Sequence, residues 1–379
     1  MIHIVDKKKC CGCSACEQAC PRQCILMQED CEGFIYPRVD LVSCVECGVC
    51  ERVCPVINQS PSRSPLVVYA AKNSNDEIRL KSSSGGIFTT LAEKTIAKGG
   101  VVFGAKFNEE WGVVHDYTEH LEGLSAFRGS KYVQSVIGEA YKQAENFLKK
   151  GRSVLFSGTP CQIAGLKRYL RREYENLVTI DIVCHGVPSP LVWREYLKSV
   201  VSQGENIQYV NMRDKRNGWS SYCINIKTEQ RSMCTLASKN LYIEGFLKDI
   251  YLRPSCYACP SKGGSSSSDI TLGDYWGVAK YHHDFADEIG VGLLLAWSES
   301  GDGILSRMDC GKIESTYDNA MTCNPSIKHS VVEPTLRNVF WMTFEKEGIV
   351  AIEKICRFLR PSLLSRILLK IKTIIKYKY

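Results

Sequence analysis

The chain has 379 residues, of which 44% are hydrophobic, 23% charged and 9% aromatic. That balance is ordinary for a globular protein and excludes a disordered, collagenous or coiled-coil chain; at roughly 150 residues per domain, the length suits one large domain and a small module. The formal charge of +7 is carried by the end of the sequence, where residues 350–379 hold eight Lys/Arg against Glu353 alone. The rest has no net basic excess, and nucleic-acid binding is not expected. Twenty cysteines are too thinly spread for a small disulfide scaffold and point to metal or redox chemistry in a reducing compartment. The sequence near Met1 offers no signal-peptide core, and no run reaches ~18 apolar residues, so the expected location is cytoplasmic.

The first predicted element is a cysteine-dense module over residues 1–56. Cys10-x2-Cys13-x2-Cys16-x3-Cys20-Pro21 recurs as Cys44-x2-Cys47-x2-Cys50-x3-Cys54-Pro55. The doubled run is that of a two-cluster bacterial ferredoxin, in which three close thiolates hold one 4Fe-4S cubane and the fourth crosses to the other. One cluster is expected on Cys10, Cys13, Cys16 and Cys54, the second on Cys44, Cys47, Cys50 and Cys20. Two zinc knuckles are the plainer alternative, because four thiolates also suit zinc, yet zinc has no need of the proline-ended run twice over. Cys11, Cys24 and Cys31 fall outside the pattern and read as small buried thiols. Residues 57–66, rich in Pro and Ser, read as a linker.

Residues 67–350 alternate β-branched apolar runs with helical patterns, which predicts a mixed α/β core. Strands are expected at 67–71, 101–103, 154–156, 177–183 and 291–296, with helices at 84–98, 138–150, 160–172 and 190–203. Lys81-Ser-Ser-Ser-Gly-Gly86 opens the first helix with a capping serine and unhindered N–H groups that suit a phosphate; a capped surface helix accounts for it as well. No G-x-G-x-x-G fingerprint occurs.

Cys161 follows Pro160 where a strand turns into a helix, so the helix dipole is expected to favour its thiolate. Cys184 follows a strand in the same way, and Cys256-x2-Cys259 comes later. Strand ends gather along one sheet edge in open α/β folds, so these four either close a third tetrathiolate site or remain isolated thiols. His185, Asp274, Tyr275 and Trp276 sit in or near these loops; a lone His or Asp there is either a satisfied structural residue or a proton relay. Residues 351–379 read as a basic amphipathic helix, with Leu364, Ile367, Leu368, Ile371 and Ile375 on one face of 361–379. Such a face lies on an anionic membrane surface, here the inner one, or packs on protein, a second copy of the chain included.

Taken together, several stretches resemble one family: Ser82-Ser-Ser-Gly-Gly-Ile-Phe88, Gly129-Ser-Lys-Tyr-Val-Gln134, Ser157-Gly-Thr-Pro-Cys-Gln-Ile-Ala-Gly-Leu166, Cys184-His-Gly-Val-Pro188, Arg253-Pro-Ser-Cys-Tyr-Ala-Cys259 and Ser268-Asp-Ile-Thr-Leu-Gly-Asp-Tyr-Trp-Gly277. The sequence is similar to the coenzyme F-420 (8-hydroxy-5-deazaflavin) hydrogenase/dehydrogenase beta-subunit family, fused to a two-cluster ferredoxin module. The resemblance implies an iron–sulfur flavoprotein oxidoreductase holding FAD and a third 4Fe-4S cluster on Cys161, Cys184, Cys256 and Cys259. It further implies a ferredoxin or other redox protein as donor and a small two-electron acceptor such as coenzyme F-420. Ser83, Ser84, Gly85, Gly86, Lys131, Tyr132 and Gln134 fall on stretches assigned to the flavin. Lys131, His185 and Asp274 are the candidate catalytic residues, Lys131 as the cation that stabilises an anionic reduced ring. An electron-relay subunit, or a reductase of a sugar or cell-envelope precursor, are the alternatives. Members commonly carry an arginine between the Cys-x2-Cys pair and the Ser-Asp-Ile-Thr stretch, where this chain has only Lys262; the substrate does not carry over with the fold.

Overall fold

The short loops between closely spaced cysteines leave little room for regular structure, and residues 1–56 have only a few short elements. Helices Ala15–Gln18 (α1) and Val49–Arg52 (α2) flank an antiparallel hairpin of Ile25–Glu29 (β1) and Ile35–Val39 (β2). The hairpin turn is held by Asp30, whose carboxylate accepts from the N–H groups of Glu32 and Phe34. A computed structural model describes residues 1–359; the amphipathic segment expected over 361–379 lies outside the described residues.

The predicted strands and helices of the larger part form, in order, Val67–Lys72 (β3), Asp76–Lys81 (α3), Ile87–Ala97 (α4), Val101–Phe107 (β4), Val113–Thr118 (β5), Leu124–Phe127 (α5), Ala140–Lys149 (α6), Val154–Gly158 (β6), Pro160–Leu170 (α7), Leu177–Ile182 (β7) and Pro190–Val200 (α8). Both α7 and α8 begin with proline at the first helical position, where its missing N–H is no loss. Thr159 and Gln162 close a capping box over α7, and Ser189 accepts from Val192 N in α8. Not foreseen is an antiparallel three-stranded sheet of Ile207–Asp214 (β8), Cys223–Thr228 (β9) and Ser232–Leu236 (β10). Leu241–Leu247 (α9), Ile270–Asp274 (β11), Val278–Tyr281 (α10), Gly292–Ala296 (β12), Glu299–Ser306 (α11), Gly311–Ser315 (β13), Tyr317–Cys323 (α12), Arg337–Glu347 (α13) and Val350–Phe358 (α14) complete the described chain.

Eight strands make one mixed sheet in the order β13-β3-β12-β11-β7-β6-β4-β5. Its centre, β4, β6, β7 and β11, is parallel, and antiparallel strands flank it on both sides. Every residue of β12 is buried, as a strand covered on both faces requires. The parallel centre has one functional consequence: Phe107, Gly158, Ile182 and Asp274 all end at the same sheet edge, and the loops after them must gather there.

The N-terminal part has a small apolar cluster of Ile2, Cys16, Cys24, Ile25 and Cys50. It also shares one with the sheet and its helices, where Cys11, Cys13, Ala15 and Val53 pack with Tyr141, Ile163 and Leu166. Burying a side chain such as Ile163 contributes about 1.5–3 kcal/mol. The Pro/Ser segment 57–66 is fastened: Arg63 donates to the carbonyls of Gly264, Ser268 and Trp297, and Ser62 Oγ to Gly263 O.

Candidate functional site

Two cavities open in the N-terminal part, and each is lined by one of the expected cysteine quartets. Cys10, Cys13, Cys16 and Cys54 line one of about 330 Å³, and Cys20, Cys44, Cys47 and Cys50 one of about 340 Å³. The pairing that crosses between the two sequence runs is therefore present in three dimensions. Each cavity has a fifth thiol, Cys11 in the first and Cys24 in the second. Burial, then neighbouring Cys10 and Cys54, push the Cys16 thiol up. Thiols crowded in a low-dielectric pocket resist ionising unless a cation neutralises them, and a set of four sulfur donors around an open space fits an iron–sulfur cluster.

The reading of Cys11, Cys24 and Cys31 as small buried thiols needs correction. Cys31 is exposed, because the turn between β1 and β2 points it to solvent. Cys24 is buried but lies 3.4 Å from Cys20, sulfur to sulfur, and burial followed by Cys20 pushes its thiol up to about 12. Cys11 hydrogen bonds through its thiol to both Cys13 and Cys161. It is the link between the N-terminal cavity and the sheet.

At the gathered sheet edge, Cys161 starts α7 beyond β6 and Cys184 follows β7. Cys256 and Cys259 come from a 3-10 turn over Pro254–Ala258. The four lie close enough to act on one another. Burial first, then the other three cysteines, pushes the Cys256 thiol up, and Cys184 is driven to about 12 chiefly by burial, with Cys161 and Cys259 adding to it. Lys262 reaches in from the opposite side, donating to the carbonyls of Cys184 and Ser326. The thiolate at Cys161 is not favoured as the helix start suggested: its bond to Cys11 and its burial push the thiol up. Four sulfur donors that oppose one another's ionisation again suit a bound cationic group.

The stretches assigned to the flavin divide in two. No serine caps α4; Ser82 Oγ donates to Ile78 O of α3, and Gly86 takes the cap position at φ +79°. Gly85 presses on the sheet, where a Cβ would collide with Ala71 O and Gly292 N, so its lack of a side chain serves backbone packing. Ser84 Oγ donates to Val291 O, and Gln134 lies at the N-terminal cavity, bonded to Cys11 O and Arg253. By contrast Ser83, Lys131 and Tyr132 surround a basic, aromatic patch that the sequence reading missed. Arg213 donates to Ser83 O, Tyr132 Oη and Asp274, and its Nε is buried without a partner. Lys215 donates to Ser84 O and Ile289 O, and Trp219 stacks on Trp276 at 4.6 Å. The run Arg213-Asp-Lys-Arg216 ahead of Trp219 was the available signal.

Desolvation pushes Lys131 down to about 7, and burial followed by Arg213 does the same to Lys215. Neither has a carboxylate ion pair among the described residues, and a bound anion would restore both charges. These residues fit the phosphates of a dinucleotide. Beside Lys131, His115 is pushed down to about 4, mainly by burial, and its Nε2 lies 3.0 Å from Ser157 O.

The three candidate catalytic residues are separately engaged. Lys131 Nζ donates to Arg128 O and Gly129 O, Asp274 accepts from Arg213 and Trp219 Nε1, and His185 Nε2 pairs with Asp249 at 2.5 Å. No contact among the described residues joins them into one relay.

Residues 151–318 match the family model for the C terminus of the coenzyme F420 hydrogenase/dehydrogenase beta subunit, and residues 9–58 match the 4Fe-4S dicluster domain. The chain belongs to the coenzyme F420 hydrogenase/dehydrogenase beta-subunit family. As a member with a fused dicluster domain it is an iron–sulfur redox protein. A search of curated proteins returned no match. Among solved structures, it is similar to a chain of the F420-reducing [NiFe] hydrogenase complex from Methanosarcina barkeri, studied by xenon derivatization. The identity is 16%, over 78% of this chain and 92% of that one, at a TM-score of 0.46. No helix among the described residues is long and apolar enough to cross a membrane.

Proposed function

We propose that the chain is an iron–sulfur flavoprotein oxidoreductase. Electrons from a ferredoxin-type or other redox donor enter at the cluster of Cys20, Cys44, Cys47 and Cys50. They pass by way of the cluster of Cys10, Cys13, Cys16 and Cys54 to a third on Cys161, Cys184, Cys256 and Cys259, then to FAD and a two-electron carrier such as coenzyme F-420. When bound, the clusters supply one-electron steps and the flavin collects two electrons for release as a hydride.

The observation that carries this reading is the Cys11–Cys161 contact, which joins the two thiol sets within one packed unit. The chain's own residues do the rest. Cys47 and neighbouring Leu41, Val42 and Val45 are exposed, giving a donor an apolar surface beside the second cavity. The buried packing of Cys11, Cys13 and Ala15 against α6 and α7 excludes water between the first cavity and the core. Lys131, Lys215 and Arg213 hold an anion at the sheet edge.

A relay subunit that feeds a partner is the second reading, favoured by Ser84, Gly85 and Gln134 being committed to internal packing and bonds. Anaerobic purification with iron, sulfide, zinc and acid-released flavin measured per chain separates the two. About 12 iron with about one FAD supports the flavoprotein. About eight iron without flavin supports the relay, and zinc without iron overturns both.

A further inference from the structure

We propose that Arg253 sets the reduction potential of the cluster held by Cys10, Cys13, Cys16 and Cys54, a proposal that rests on the reading of those cysteines as cluster ligands. Arg253 is fully buried, and its guanidinium has no ion pair with a carboxylate among the described residues. Its Nε donates to Cys10 O at 2.8 Å, Nη1 to Gln134 Oε1 at 2.9 Å, and Nη2 to Ile35 O at 2.9 Å and to Cys10 Sγ at 3.7 Å. Tyr36 covers one side, with its ring centre 4.3 Å from the guanidinium carbon.

A buried cation needs a counter-charge. Every oxygen that Arg253 touches belongs to a neutral group, so the negative partner within reach is the sulfur of Cys10. The fit is specific: Gly12 sits at φ +69°, and a Cβ there would lie 2.8 Å from Nη1. The backbone of Arg253 is meanwhile tied to the core thiols, since its carbonyl accepts from Cys256 N at 2.9 Å. One residue thus spans both thiol sets.

Taking up one electron breaks no bond and adds one negative charge to the thiolate-bound group. A fixed cation and an N–H···S bond stabilise that added charge, and hydrogen bonds to sulfur and net charge are levers on cluster potential. Arg253 is therefore a positioning residue that makes the first cluster easier to reduce and so the better acceptor from its neighbour.

The test is a dithionite titration of the full chain followed by electron paramagnetic resonance, with iron counted in parallel. Arg253→Gln is expected to keep its iron while one N-terminal signal becomes harder to reduce by about tenfold or more, about 59 mV for one electron. Arg253→Lys, which keeps the charge, recovers part of that shift. Unchanged midpoints in Arg253→Gln with iron retained overturn the proposal. Where that variant does not assemble the cluster, Gln134→Glu tests the same charge. A carboxylate on Nη1 offsets the cation and lowers the same midpoint, whereas an unmoved midpoint overturns the proposal. A wild-type chain without cluster signals instead overturns the functional reading on which it rests.

Discussion

The thiol of Cys11, one residue after the first ligand of the N-terminal run, hydrogen bonds to the thiol of Cys161 at the start of α7. The two lie 150 positions apart in the sequence, and they join the ferredoxin-like part to the sheet edge where the core thiols gather. Their roles differ and can be separated. Cys161→Ala is expected to lose about four of about 12 iron and leave the N-terminal signals intact. Cys11→Ala should keep all the iron and cost about 1 kcal/mol for the lost bond, read by iron analysis and thermal unfolding.

Lys131 gives a pH signature with a definite sign. Its folded value of about 7 lies below the ordinary 10.5, so between those values the unfolded chain binds more protons than the folded one. The flavin-free chain should therefore gain stability as pH rises through that window and carry the full cost of the buried charge below it. Binding of an anionic dinucleotide favours the protonated lysine, so FAD should bind more tightly at pH 6 than at pH 9, with proton uptake detected by calorimetry in two buffers. Lys131→Met should weaken FAD by about ten- to a hundredfold, the value of a charge-assisted hydrogen bond, and flatten the pH dependence.

Asp274 accepts from Arg213 at 3.1 Å and from Trp219 Nε1 at 2.7 Å, while the Arg213 side chain is only 3% exposed. Removing the carboxylate leaves a buried guanidinium without its partner. Asp274→Ala is expected to lose about 3–5 kcal/mol in denaturant unfolding, and Asp274→Asn, which keeps an acceptor for Trp219, less. Equal stability of all three proteins would free Asp274 for a proton-relay role.

Gly165 lets α7 approach the N-terminal loop, since a Cβ there would lie 2.9 Å from both Cβ and Sγ of Cys13. Gly165→Val should overpack this contact at a cost of about 1–3 kcal/mol. The expected sign is faster proteolysis within 57–66 with the core cluster retained, measured by fragment mass and residual iron.

The cysteine spacing alone determined the two N-terminal quartets, because a cubane needs three close thiolates and one distant one, and the doubled run admits few other pairings. The β-branched runs likewise fixed the parallel centre of the sheet: each apolar stretch has to be buried, and each is followed by a helix that covers it. Tertiary structure decided the rest. The sequence pattern has no means of revealing that Cys11 meets Cys161, or that Gly85 is required by a neighbouring strand backbone. Nor does it show that Gln134 turns toward the N-terminal cavity, or that Arg213 and Lys215 arrive beside Ser83 from an antiparallel sheet with no local motif. Those relationships depend on strand order and on which loops share an edge. Both are settled by long-range burial, to which no window of neighbouring residues is sensitive.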